Sequence, residues 1–497
     1  MAAPGRNVRL EEYASSGVLA ESETVGDARS RVKTHCTRSS NSISSEYGVA
    51  KKHGASASHR QNDKYMEQFD TAYEELEAAA ASRGDKKAAT RYGTSTVKNE
   101  AMSARPIDKE SFAAADKATV GDFEGSWLTG PMVPEGSLHS VSAQPLICMS
   151  MSADAREVVV GSSDHALYVI PLRSSAAMSS SRGSSRSLTA ASKLKTLYTK
   201  KFGHTEWVTC VTHLPDNRIV SGGMDSKLCL WDATGVKCDD LLGHSGSVSL
   251  VQCLGDELIV SAGYDKTVRV WNVGKHTSSR QRERSVIKAG SAPILDASTL
   301  SGNSSIVCGD RDGGVHLIDL ENAKVLKKTT GAHKGHTTSV LGSKALDGTS
   351  FFYSGGQDGI VKVWDARQKG ALHSLELHID PRSGKSGAVG FIRESAEDPN
   401  TLVTGGADGT IKVLDKRASF EMVHNFTEHM DFIYSLHLHG QLCFSGAGSG
   451  MLHVHDWKRG RLLYGLGANQ AAVRAIATSS TQLIAAGDDG GVVIYDM

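Results

Sequence analysis

Histidines crowd one stretch near the C-terminal end of the chain: His429, His437, His439, His453 and His455. Alternate residues of a strand share a face, so His437 with His439, or His453 with His455, has the spacing of a two-imidazole metal chelate. On a half-buried strand one member of such a pair serves as readily as a core or surface residue, and no metal site is expected. The eight cysteines, Cys36, Cys148, Cys210, Cys229, Cys238, Cys253, Cys308 and Cys443, form no C-x-x-C pair. Most stand in apolar runs such as "VTCV", "LCLW" and "IVCG", as buried reduced thiols do, which favours a reducing compartment. "SGKS" at Ser383–Ser386 lacks a phosphate loop's first glycine, because Ile379 stands there. "GAGSG" at Gly446–Gly450 is followed by no helix, so it reads as a hairpin turn and not a dinucleotide site. No cofactor is expected.

The elements around these residues follow from composition and repetition. Lys plus Arg and Asp plus Glu both total 55, so no net charge favours bulk nucleic-acid or membrane affinity. Glycine is high at 51 and proline low at 10, which suits antiparallel strands joined by tight turns. The start of the chain has no apolar h-region, and nowhere is an uncharged apolar run long enough to cross a bilayer. The expectation is a soluble, cytoplasmic protein, with nuclear, cytoskeletal or ciliary association left open.

One block recurs from about residue 157 onward. It reads "VVVGSSDHALYVIPL", "IVSGGMDSKLCLWD", "IVSAGYDKTVRVWN", "IVCGDRDGGVHLID", "FYSGGQDGIVKVWD", "LVTGGADGTIKVLD", "CFSGAGSGMLHVHD" and "IAAGDDGGVVIYDM". Each copy is a β-branched run, a Gly/Asp reversal and an alternating run, hence a hairpin. The spacing is mostly about 40–50 residues, and two further strand candidates separate successive copies, giving four strands per unit.

Gly203-His204 and Gly243-His244 precede their "WD" or "WN" ends by a near-constant spacing, and Gly335-His336 stands likewise before Trp364-Asp365. On these motifs the chain resembles the WD-repeat family over about residues 125–497. The resemblance implies an all-β propeller of eight blades, or seven plus one irregular sheet. It also implies a buried hydrogen-bonded quartet in each complete blade. On this sequence the quartets map to His204, Ser221, Asp225 and Trp231; to His244, Ser261, Asp265 and Trp271; and to His336, Ser354, Asp358 and Trp364. Histidine, serine and aspartate together invite a catalytic reading. Their recurrence in blade after blade argues for a structural one, since buried polar groups must find partners and an active site is not built several times. The chain is therefore expected to be no enzyme. Other units depart from the pattern: Gly290 and Lys385 stand where histidine is expected, Ser449 replaces Asp, and Leu414, His455 and Tyr495 replace Trp.

The last unit ends after its third strand, so residues 126–140 are expected to supply the missing outer strand and close the ring. Residues 1–125 are polar, poor in β-branched types and expected to be a mostly disordered arm. Within the arm Tyr65, Phe69 and Tyr73 recur at helical spacing, predicting a helix near 63–83 that docks on its own propeller or in a partner's groove. Two enlarged loops carry Arg182 and Arg186, and Arg280, Arg282 and Arg284. Emerging on one face, these would form a basic patch for an acidic or phosphorylated partner, with nucleic acid the less expected one.

Trp364-Asp365-Ala366-Arg367 forms W-D-x-R, and Leu414-Asp415-Lys416-Arg417 is a degenerate copy. In the WD-repeat family the motif resembles the docking element of substrate receptors for cullin-RING ubiquitin ligases, which makes Arg367 and Arg417 candidates for partner contact. The expected function is a protein–protein interaction scaffold in a multiprotein assembly, alternatively such a receptor, or a cytoskeletal or ciliary structural component.

Overall fold

The computed structural model describes residues 126–172, 194–198, 202–277, 281–343, 351–379 and 385–497. The expected helix with Tyr65, Phe69 and Tyr73 lies outside these residues, as does the rest of the arm. Eight four-stranded antiparallel sheets are present among them, each with one repeated hairpin at its middle. Blade 2 shows the plan: strand a is Val208–His213, b Ile219–Gly223, c Lys227–Trp231 and d Cys238–Leu242. Strand a is buried along its whole length, whereas Asp239, Asp240 and Leu242 on strand d are exposed. Strand a is thus innermost and d forms the rim.

Each blade buries both faces against its neighbours. Eight apolar clusters result, one at every junction between successive blades, including the junction of the eighth with the first. At that last junction Ala475, Ile484 and Val492 of blade 8 meet Leu146, Val158 and Ile170 of blade 1. Each such valine, leucine or isoleucine contributes about 1.5–3 kcal/mol relative to exposure. In all eight blades the a–b ladder slips one residue after its first pair, as at Val248/Leu250. Such a bulge sharpens the local twist. Close blade approach also explains the glycine before the reversal. A β-carbon on Gly222 would lie 2.7 Å from Cys210 Sγ and 2.8 Å from Val248 Cγ1 of blade 3.

The ring closes through the segment before blade 1. Ser137–Ser140 pairs antiparallel with Gly491–Asp496, in register from Ser137 opposite Ile494 to Ser140 opposite Gly491. Just upstream, Trp127 is buried among Phe444, Leu466 and Tyr495. Its indole N–H donates to the Ser480 carbonyl, and the Tyr464 hydroxyl donates to the Trp127 carbonyl at 3.1 Å. The outer strand of the last blade therefore comes from the other end of the propeller sequence, and the edge of Gly491–Asp496 is covered.

Candidate functional site

The polar quartets sit where each d–a loop meets the b–c reversal. In blade 3 the chain of bonds is complete. His244 Nδ1 meets Asp265 Oδ2 at 2.9 Å, its Nε2 meets Ser261 Oγ at 2.7 Å, and the Trp271 indole N–H donates to that oxygen at 2.8 Å. Hydrogen bonds from His244, Thr267 and the Ser245 backbone outweigh the cost of burial and hold the Asp265 carboxyl down at about 2. Blade 2 repeats the first two links, His204 with Asp225 at 2.9 Å and with Ser221 at 2.8 Å. The Trp231 indole N–H, although buried, has no partner, so this quartet lacks its last link.

Two histidine positions differ from the sequence expectation. In blade 5 the quartet histidine is His333 and not His336. His333 meets Asp358 at 3.1 Å and Ser354 at 2.8 Å, and Trp364 donates to Ser354 at 2.9 Å. His336 instead bonds the Arg311 carbonyl. In blade 6 the histidine is His378 and not the position of Lys385. His378 meets Asp408 at 3.0 Å and Thr404 at 2.9 Å. The reason is loop length. Chain spacing from histidine to serine is 17 residues in blades 2 and 3, but the His333–Ser354 separation is 21 and that of His378–Thr404 is 26. The extra residues fall between strands a and b in blade 5 and mostly between the histidine and strand a in blade 6.

The remaining blades meet the same demand differently. In blade 4 a β-carbon on Gly290 would lie 2.7 Å from His316 Nε2, because His316 swings in from strand c and meets Asp310 at 2.8 Å. In blade 1 Ser142 stands for histidine, donating to Asp164 at 2.6 Å, and Tyr168 donates to the same carboxylate at 2.7 Å. In blade 8 the Asn469 amide donates to Asp489 at 2.8 Å. In blade 7 His429 meets Ser445 at 2.7 Å and stacks on His453 with ring centroids 4.2 Å apart. Burial, then the neighbouring His453 and His455, push the His429 imidazole down to about 3. His437 and His439 converge on one hydroxyl, Thr478 Oγ1, at 2.9 and 2.6 Å.

These quartets are buried between packed sheets, whereas the two ends of the strands carry exposed side chains. At the end opposite the histidines, the c–d turns of blades 5 and 6 carry the two arginines in matching geometry. Arg367 Nε and Nη2 donate to Asp365 at 3.1 and 3.0 Å, and Arg417 Nε and Nη2 donate to Asp415 at 3.1 and 2.9 Å. Both arginine side chains are about two-thirds exposed, at 66% and 68%. Each aspartate thus anchors one guanidinium on neighbouring blades, with most of the arginine side chain exposed.

The expected basic patch is reduced. Arg282 is buried and donates to Asp239 at 2.8 Å, so it belongs to the rim packing and not to a free surface. Lys275 pairs with Asp216 at 3.3 Å. Arg284 is exposed on Glu283–Lys288, and Arg182, Arg186 and Arg280 lie outside the described residues. At the histidine end of blade 7 the loop before Ile433–His439 exposes Met430 fully and Phe432 by half. Sequence reasoning passed over this pair, whose only signal was apolar residues in a loop otherwise polar, "TEHMDF".

Eight radial four-stranded sheets with recurrent His–Ser/Thr–Asp bonding define a β-propeller of the WD-repeat class. The comparisons agree with that class. The profile of the "WD domain, G-beta repeat" family matches residues 193–232, 235–272 and 327–365. The DDB1- and CUL4-associated factor 11 homolog of Caenorhabditis briggsae is 32% identical over 117 residues, 23% of this chain and 20% of that protein. WD repeat-containing protein 55 of Mus musculus is 23% identical over 196 residues, 38% of this chain and 46% of that protein. The chain therefore spans from a fifth to under a half of the length of these relatives. The crystal structure of Saccharomyces cerevisiae Sqt1 superposes with a TM-score of 0.62 at 13% identity, covering 73% of this chain and 99% of that one, which shows the fold alone. The chain belongs to the WD-repeat β-propeller family.

Proposed function

We propose that this protein is a non-catalytic interaction scaffold that serves as a substrate receptor of a cullin-RING ubiquitin ligase. The observation that carries the receptor reading is the pair of aspartate-locked guanidiniums, Arg367 and Arg417, held in equal geometry at one end of adjacent blades. A preset, exposed arginine docks on an acidic or carbonyl-rich surface with little further loss of side-chain freedom, which favours affinity. The aspartate keeps the guanidinium from collapsing onto the propeller without using up its donors. One relative's name links it to DDB1 and CUL4, which supports the reading. The opposite end of the propeller, with Met430 and Phe432, is then free to hold the substrate.

The test is co-purification of the full chain with DDB1 from cells, comparing wild type, Arg367→Ala, Arg417→Ala and the double variant. The double variant should lose the adaptor by about 10-fold or more, as expected when two charge-assisted anchors are removed. Retention of the adaptor by a folded double variant overturns the receptor reading and leaves the scaffold.

A further inference from the structure

A cluster on the rim of blade 2 carries a second function that does not depend on the receptor reading. Cys229 on strand c, and Cys238 and Asp240 on strand d, place their ligand atoms within 4.8 Å of one another. The cross-strand register brings them together: Cys229 stands opposite Asp240, and Cys238 opposite Trp231. Both thiols point at a single oxygen, with Cys229 Sγ 3.6 Å and Cys238 Sγ 3.8 Å from Asp240 Oδ1. The other carboxylate oxygen, Oδ2, accepts from Lys227 Nζ at 2.9 Å.

We propose that Cys229, Cys238 and Asp240 form a binding site for a thiophilic divalent cation of the zinc class, with the fourth position open at the rim. Three observations carry this. The first is geometric. Tetrahedral coordination with metal–sulfur bonds of about 2.3 Å and metal–oxygen bonds of about 2.0 Å sets sulfur and oxygen ligands about 3.5 Å apart. The two S···O separations already approach that edge, so little rearrangement is needed. The second is charge. Two thiolates and a carboxylate around a divalent ion leave one net negative charge, which the Lys227 ammonium beside Oδ2 neutralises; it also orients the carboxylate so that Oδ1 faces the sulfurs.

The third is the comparison with sibling blades. The position of Cys229, two residues before Trp231, holds a cation in blades 3, 5 and 6: Arg269, Lys362 and Lys412, each two residues before Trp271, Trp364 and Leu414. In blade 3 that cation, Arg269, is paired with Glu283, the residue in Cys238's register position. At those two positions blade 2 has Cys229 and Cys238, a pair of thiols where blade 3 has an ion pair. Cys229 and Cys238 are buried and Asp240 is exposed, so the site opens to the rim on the Asp240 side. On binding, each thiol gives up its proton to solvent, two protons per ion, and no electron is transferred. The sequence alone gave no such site, since eight residues separate the cysteines and the third ligand is defined only by pairing.

The experiment is titration of the reduced, metal-free, full-length protein with Co²⁺, followed by its thiolate-to-cobalt absorption and by displacement with Zn²⁺. One equivalent should produce the thiolate band. Cys238→Ser should abolish it, Asp240→Asn should weaken binding by about 10–100-fold, and Cys253→Ser should change nothing. Cys238 and Asp240 lie at the rim, so these variants are expected to keep the fold; circular dichroism checks it, and protects the test should Cys229→Ala not fold. A wild-type titration without the thiolate band overturns the proposal. So does a band that persists in Cys238→Ser, or a Cys229–Cys238 disulfide formed under peroxide in a protein that takes up no metal when reduced.

Discussion

Replacing His333 by alanine should destabilise the propeller far more than replacing His336, three residues away. His333 Nδ1 bonds the Asp358 carboxylate at 3.1 Å and Nε2 bonds Ser354 at 2.8 Å, with the imidazole fully enclosed. Its removal costs one hydrogen bond to a charged group, worth about 1.5–3 kcal/mol, and one neutral bond worth about 1 kcal/mol. Asp358 keeps the backbone N–H groups of Lys334 and Ile360, and Ser354 keeps the Trp364 indole, so neither is wholly stranded. The lost ring also leaves a void against Gly356. Together these give about 3–4 kcal/mol for His333→Ala. His336 makes a part-buried bond to the Arg311 carbonyl that water can replace, so His336→Ala should cost about 0.5–1 kcal/mol. Urea unfolding followed by tryptophan fluorescence measures both, because Trp364 belongs to the same quartet. A ring of similar blades need not unfold in two states, so the comparison is of midpoints at equal slope. Equal losses for the two variants, or a larger loss for His336→Ala, would refute the assignment of the quartet and the loop-length reasoning behind it.

Two further expectations follow from the same bonds. Trp271→Phe should cost about 1 kcal/mol more than Trp231→Phe, because only Trp271 loses a hydrogen bond to its serine; equal midpoint shifts would count against the difference between blades 2 and 3. The protein should also weaken in acid from the blade 7 side first. Burial, with nearby histidines, keeps His429 neutral down to about 3, and burial with His455 keeps His453 neutral to about 4. The unfolded chain protonates these groups near their ordinary value of about 6.5, so stability is full above that pH and falls as pH drops toward 3–4. For His429 the loss at pH 5 is on the order of 1–2 kcal/mol. The Asp265 carboxyl, held at about 2, adds a second loss only below about pH 4. A denaturation midpoint unchanged between pH 7.5 and 5, or an unchanged slope in His429→Asn, would contradict this.

Legibility tracked the length of the connections. Serine and aspartate of each quartet lie on the b–c hairpin, which is short and nearly constant, so Ser221, Asp225, Ser261, Asp265, Ser354 and Asp358 could be located by counting. The histidine arrives from the d–a loop, and both that loop and the a–b hairpin vary in length, so counting reached His204 and His244 but not His333 or His378. Substitutions hid more: His316 of blade 4 comes from a strand, and only packing against Gly290 shows that it fills the histidine's place. Arg282 read as a surface cation because its partner, Asp239, lies 43 residues earlier on another blade.

The sequence by itself determined the repeated unit: period-2 alternation and Gly/Asp reversals specify a hairpin whatever surrounds it, and eight of them specify eight sheets. Only the tertiary structure decided what meets across sheets and strands. It set the register of Ser137–Ser140 against the C-terminal strand (a pairing the sequence itself leads one to expect), the matched anchoring of Arg367 and Arg417, and the grouping of Cys229 with Cys238 and Asp240. The physical reason is range. A hairpin is fixed by local torsions and alternation, whereas a cross-strand or cross-blade contact depends on register and loop reach, which chain spacing does not encode.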